Sequence, residues 1–231
     1  MDEDIKTSEP HYKGHRQRLR ARFLKGGRES LADYELLELI LFMAIPQRDV
    51  KPLAKDLLTH FGSLGALLHA PHAELESFGL SNNSITTLKV IEAACFDLLK
   101  FDVMKKPILN SWVKLLDYLT ATMAHEKIEK FRVLFLNKKN ELIADETQQT
   151  GTVDHTQAYP REIMKRALEL SATAIILVHN HPSGDYTPSE ADITLTKQII
   201  EAASPFSIVI HDHIIVSKQG TNSFKRLGLI T

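Results

Sequence analysis

Cysteine is almost absent: Cys95 is the single one in the chain. One cysteine excludes an internal disulfide framework. Its place in the apolar stretch VIEAACFDLL reads as a small buried hydrophobe in a reducing compartment, with a reactive thiol as the second reading. Long apolar runs are absent too. No stretch reaches the roughly 18 uninterrupted apolar residues of a membrane span, so no membrane partner is expected. Charge of one sign is also lacking. A net charge of -1 over 231 residues gives no global attraction to nucleic acid or anionic lipid. The opening residues, MDEDIKTSEP, are polar and acidic and do not follow the charged-then-apolar plan of a secretory signal. A cytoplasmic location is expected. What is present is ordinary for a soluble globular chain: 43% hydrophobic and 25% charged residues, with length for one large or two small domains.

The pattern changes near Lys105. Before it, apolar residues recur at helical spacing. SLADYELLELILFM predicts a helix with Ser30 as N-cap and Asp33 three residues on. DVKPLAKDLLTHFG puts Val50, Leu53, Leu57 and Leu58 on one face, with Gly62 as the stop. PHAELESFGL and NSITTLKVIEAACFDLLK complete a small all-α domain, so residues 1–105 are expected to form one domain and 106–231 a second. MKKPILN reads as the linker, since Pro107 blocks helix continuation. After a helix over 111–124, the period switches to strands. KFRVLFLN and NELIADETQ are strands around a short turn. PREIMKRALELSA is a helix with Pro160 in its first turn. TAIILVH is the near-continuous apolar run of a strand buried on both faces. SEADITLTKQIIEAA is a helix capped by Ser189, and FSIVIHDHIIVS is a last long strand or hairpin-like pair. The second part is a mixed α/β domain.

The chemistry concentrates in LVHNHPSGDYTPSEAD, residues 177–192. Alternate residues of a strand point to one side, so His179 and His181 project together as a ready pair of zinc ligands. Pro182, Ser183 and Gly184 turn the chain. Pro188 and Ser189 start a helix, and Asp192 in its first turn could swing back as a third ligand. Three protein ligands leave a fourth position for water, as in a catalytic zinc site. A plainer reading competes: Ser189 and Asp192 also fit a variant capping box with no metal involved.

HNHPSGDYTPSEAD resembles the JAMM motif of JAB/MPN metallopeptidases. FRVLFLNKKNELI, GTVDHTQAYPREIMKRALELSATAIILVHNHPSGDYTPS and DHIIVS are similar to segments of the RadC-type bacterial branch. The N-terminal helical part is similar to the domain that precedes JAB/MPN there. The resemblance implies a cytidine-deaminase-like α/β fold, a mixed sheet with flanking helices, behind a small helix-hairpin-helix-like domain. It implies Zn2+ held by His179, His181 and Asp192, with Ser189 at the position that helps hold the oxyanion of a tetrahedral intermediate. It also requires an upstream glutamate at the start of a strand. Glu129 matches that place, ahead of Glu126, which comes early for the strand, and Glu162, which sits on the preceding helix. The implied reaction is hydrolysis of an amide or isopeptide bond in a peptide or protein substrate, with Glu129 as the base.

The older label of this branch, DNA repair, suits a different reading: a DNA- or protein-binding module whose metal site is vestigial or structural. A structural metal needs neither Glu129 nor Ser189, which favours the hydrolase. Metal-dependent phosphodiester cleavage ranks last, because nucleases gather carboxylates for magnesium and this motif is histidine-rich. HDH at His211–His213 has no acid at ligand spacing and reads as strand residues or an outer support of the site. His155 is a loop histidine that could border it. Seven Lys and Arg between Lys13 and Arg28 read as a solvated or partner-binding face, with weak, sequence-independent DNA contact as the alternative. LLHAPHAELESFGLSNNSITTLKVI looks like a helix-hairpin-helix, but its turn is Gly79-Leu80-Ser81, with serine where a second glycine would let phosphate approach.

Overall fold

In the computed structural model, residues 14–104, 107–150 and 159–230 are described. The chain divides between Ala94 and Cys95 into two compact units.

The first unit is helical, from α1 (His15–Gly26) through α2 (Asp33–Ala44), α3 (Lys51–Phe61), α4 (Leu64–His69) and α5 (His72–Ser77) into α6 (Asn82–Met104), which continues into the second unit. Leu37, Leu41, Leu57, Leu67, Leu75 and Leu88 form its buried centre. Gly62 ends α3 at φ 82, the left-handed conformation that favours glycine. Ser30 does not cap α2. It closes a short 3-10 turn, Arg28–Ser30, and Ala32 takes the N-cap position. Glu35 supplies the missing acceptor, its carboxylate receiving the Ala32 N–H at 3.0 Å. Gly79 turns the chain at φ 100, and the Ser81 hydroxyl accepts the Ser84 N–H at 3.3 Å. Serine therefore caps the start of α6 where a second glycine was missed. Part of the basic block is used internally. The Arg16 guanidinium donates to the Ile45 and Arg48 carbonyls and lies 4.3 Å from the Phe42 ring centre. Arg22 pairs with Glu35 and Arg28 with Asp33. Lys13 lies outside the described residues.

Cys95 is exposed, not buried. It sits on α6 between Ile91, which packs on the first core, and Leu99, which packs on the second. Neither core reaches it.

The second unit is built on a five-stranded mixed sheet in the order β2-β1-β3-β4-β5. The strands are β1 (Lys130–Leu136), β2 (Leu142–Thr150), β3 (Ala174–Asn180), β4 (Val209–Val216) and β5 (Thr221–Ser223), with α7 (Trp112–Met123), α8 (Pro160–Glu169) and α9 (Glu190–Ala203). The last apolar segment is thus a single strand, β4, and the short return strand β5 follows it after a turn. β3 pairs antiparallel with β1 and parallel with β4. All seven β3 residues are buried, because both faces are covered. Leu134, Ile176, Val178 and Ile214 meet α7 on one side. Phe131, Val133, Ile175, Leu177 and Ile210 meet α8 and α9 on the other. A bulge interrupts β4: Ile175 pairs with Ile210, but Ile176 pairs with Asp212. The extra residue reverses which residues face α9 from that point on. Among the described residues, no helix is long and apolar enough to cross a membrane.

Behind the sheet, Arg132 on β1 donates from Nε to Asp145 Oδ1 on β2 at 3.0 Å, and from Nη2 to the Tyr118 hydroxyl of α7 at 2.8 Å. The Tyr118 hydroxyl in turn donates to Asp145. Burial, with the Asp145 charge beside it, pushes the Tyr118 pKa up to about 12. Asp145 is 1% exposed, so removing its partner strands a carboxylate. Arg132→Met should lower stability by about 3–5 kcal/mol, with much of that loss recovered in Arg132→Met/Asp145→Leu. Urea unfolding of the two variants beside wild type measures both changes. A single variant as stable as wild type would mean the buried pair is not what ties these elements together.

Candidate metal centre

The centre forms where β3 runs out. His179 is the penultimate residue of the strand and is 1% exposed. His181 lies just beyond it, still held to the sheet by its N–H donating to the Val216 carbonyl at 2.9 Å. The chain then turns through Gly184 at φ 94. The His181 carbonyl accepts the Gly184 N–H at 3.1 Å, and the Ser217 hydroxyl clamps the turn by donating to the Gly184 carbonyl at 2.7 Å. His181 Nδ1 lies 2.6 Å from the Asp185 carbonyl. A carbonyl only accepts, so Nδ1 carries a proton and Nε2 is the atom turned toward His179.

α9 brings the third group. Ser189 is its N-cap and Asp192 its third residue, in a reciprocal capping box. Asp192 Oδ2 accepts the Ser189 N–H at 2.8 Å and the Ser189 hydroxyl at 2.6 Å. The Asp192 N–H donates back to Ser189 Oγ at 3.2 Å. Both Ser189 donors are therefore spent on Oδ2, and Oδ1 is left facing His179. His179 Nε2 lies 2.9 Å from His181 Nε2 and 3.2 Å from Asp192 Oδ1; His181 Nε2 lies 3.6 Å from Asp192 Oδ2. Ligands bonded to one tetrahedral zinc at about 2.0 Å stand about 3.3 Å apart, so this donor set fits such an ion.

The electrostatics point the same way. Burial alone would raise the Asp192 pKa, but the His179 and His181 rings beside it, helped by the Ser189 hydroxyl, hold the carboxyl far below the ordinary range. The Asp192 hydrogen bond raises His181 against the opposing effect of burial, with smaller support from the Asp185 carbonyl and the charges of Asp192 and Glu129. Both displacements favour positive charge beside the Asp192 carboxylate.

Glu129 immediately precedes β1 and is half-buried. Phe131 pairs with His179 and Arg132 with Val178. Continuing that antiparallel register sets Glu129 opposite His181, on the face where Phe131 stacks against the His179 ring. The Asn180 amide supports this edge: its Oδ1 accepts the Lys130 N–H at 2.8 Å and its Nδ2 donates to the Ile128 carbonyl at 3.2 Å. The two rival glutamates are engaged elsewhere. Glu126 holds the Lys130 ammonium, and Glu162 on α8 accepts from Arg161 at 3.1 Å with half its side chain exposed.

The two histidines of HDH part company at the β4 bulge. His211 Nε2 lies 2.6 Å from Asn140 Oδ1, away from the centre, and burial together with the nearby Lys225 charge lowers its pKa. His213 is fully buried, with Nε2 2.8 Å from His179 Nδ1. Burial, then the neighbouring His179, pushes its pKa well below the histidine norm, so it is a neutral partner. Thr196 on α9 contacts it from the other side. The sequence pattern gave no signal for Thr196. His155 lies outside the described residues.

Two family models match the chain. One is the RadC-like JAB domain, over residues 109–229, which alone covers more than half of it. The other is the UPF0758 N-terminal domain, over residues 14–86. The sheet order, the helices on its two faces and the histidine pair at the end of β3 all lie within the first match, and on that match the chain belongs to the RadC-like JAB domain family.

Proposed function

We propose that the protein is a zinc-dependent hydrolase of amide or isopeptide bonds in a peptide or protein substrate. The observation that carries the reading is the convergence of two imidazole nitrogens and a carboxylate oxygen on one point, beside Glu129. His179 and His181 through Nε2, and Asp192 through Oδ1, would hold the metal. A zinc ion there supplies Lewis acidity: it polarises a carbonyl and lowers the pKa of water toward neutrality. Glu129 takes the proton of the attacking water and hands it to the leaving amine. Ser189 stabilises the developing oxyanion, a contribution of about 3 kcal/mol for one such donor. To do so its hydroxyl must turn from Asp192 Oδ2, which keeps the Ser189 N–H as a partner.

Metal binding should compete with protons. His181 has a raised pKa, so below that value its Nε2 is protonated and the metal must displace a proton. Above it that competition ends. Zinc affinity should therefore climb by about tenfold per pH unit at acid pH and level off above the His181 pKa. Competition with a chromophoric chelator between about pH 5.5 and 8.5 measures this. About one zinc per chain is expected, lost in His179→Ala/His181→Ala. Affinity flat across the whole range would remove His181 from the ligand set.

Glu129→Gln keeps the size of the side chain but removes the base. Zinc content should stay at the wild-type level while hydrolysis of a cleavable amide falls by roughly 100-fold or more. Asp192→Asn weakens a ligand, so zinc content and hydrolysis should fall together. Undiminished activity in Glu129→Gln would move the role to Glu126 or Glu162. Wild type inactive over a broad substrate panel would favour the binding-module reading instead.

Any DNA contact of the N-terminal unit is weak and independent of sequence. Arg16, Arg22 and Arg28 already serve internal partners, and the serine side chain at position 81 takes up a helix-start N–H. Binding to a duplex should decline steeply with added salt, as phosphate contacts release counterions. Sequence-specific binding that survives high salt would overturn this.

A further inference from the structure

The β4 bulge puts His213, rather than Asp212, on the α9 face of the sheet. Leu177 and His213 are paired neighbours and Leu177 belongs to the α9 core. Had the alternation held from Ile210 onward, Asp212 would take that face and His213 would point at α7. Behind His213 stands Thr196, one turn after Asp192 on α9 and 1% exposed.

The protons in this chain of contacts can be assigned. Thr196 Oγ1 is 2.6 Å from the Asp192 carbonyl and 2.6 Å from His213 Nδ1. A threonine hydroxyl has one proton. Two oxygens that both only accept would repel at that separation, so the proton lies toward the carbonyl. His213 Nδ1 must then donate to the hydroxyl oxygen. A neutral imidazole carries one proton, so His213 Nε2 is bare and accepts, at 2.8 Å, from His179 Nδ1–H. That leaves His179 Nε2, the atom facing His181 and Asp192, as the position with an exchangeable lone pair.

We propose that Thr196 and His213 are positioning residues: a buried relay that keeps the His179 proton on Nδ1 and reserves Nε2 for the metal. The inference rests on the metal-site reading above and adds two residues to it. One turn of α9 then serves both ends of the site. Asp192 contributes its carboxylate directly, while its own carbonyl anchors the relay that orients His179. An acceptor of this kind behind a ligating histidine fixes ring orientation and raises ligand basicity.

The test compares Thr196→Val, which keeps the shape without the hydroxyl, and Thr196→Ser, which keeps the hydroxyl. Zinc affinity should fall by about 10- to 100-fold in Thr196→Val and stay within about threefold of wild type in Thr196→Ser. Nitrogen chemical shifts of metal-free wild type, recorded above the histidine pKa range, should report protonated Nδ1 on both His179 and His213. Thr196→Val should lose the His213 assignment. Wild-type affinity in Thr196→Val, or a wild-type His179 protonated on Nε2, overturns the relay. If wild type binds no zinc, the metal reading fails on its own, and the nitrogen shifts still decide the relay.

Discussion

Burial of β3 on both faces is the constraint on which the candidate site depends. Its apolar residues are sealed between the α7 core and the α8–α9 core, so the strand cannot slip or turn over without moving its whole apolar set into the wrong layer. That rigidity is handed on to His179, the last side chain but one of the strand. His181 inherits it through its backbone bond to the Val216 carbonyl, and the turn after it through the Ser217 clamp. Two nitrogens are thus aimed by a packed sheet, with loop residues adding only the final orientation.

The third group comes from a different kind of element. α9 starts directly beside the end of β3, and its first-turn acid stands where a helix favours negative charge. The capping box removes one carboxylate oxygen from competition by filling Oδ2 with Ser189 donors. The carboxylate still lies beside two imidazoles, Oδ1 near His179 and Oδ2 near His181, and the opposite pKa displacements of Asp192 and His181 are the two sides of that one attraction. Buried His213 stays neutral behind them and adds no positive charge to the cluster.

The first unit treats charge differently. A block that looks like a basic stripe in the sequence is partly consumed in holding helices together: Arg16 closes the end of α2, and Arg22 and Arg28 reach its first turn. Such cations contribute less to an external phosphate than their number suggests. Composition alone cannot distinguish a pinned guanidinium from a displayed one, because the partners are carbonyls and acids many residues away.

Much of the fold was legible because its signals are local. Periodicity separated helices from strands, and the uninterrupted apolar run marked β3 as doubly buried. His179 and His181 share a side because a strand repeats every two residues, and Ser189 with Asp192 share a cap because a helix start has a fixed geometry. Those relations span a few residues and need no partner. Glu129 was placed by order along the chain, but its position opposite His181 is a matter of register between β1 and β3, which pairing over a long sequence distance sets. Cys95 was misread because burial depends on where two cores end along α6. His211 and His213 look equivalent in HDH, and only a bulge against β3 sends one to Asn140 and the other to His179. Thr196 carried no mark at all: a threonine in mid-helix becomes part of the site solely because β4 packs beside it. The sequence by itself determined which side chains could serve as ligands. The tertiary structure decided which neighbours orient them, because a hydrogen bond between distant residues exists only once the sheet and helix that carry them are packed.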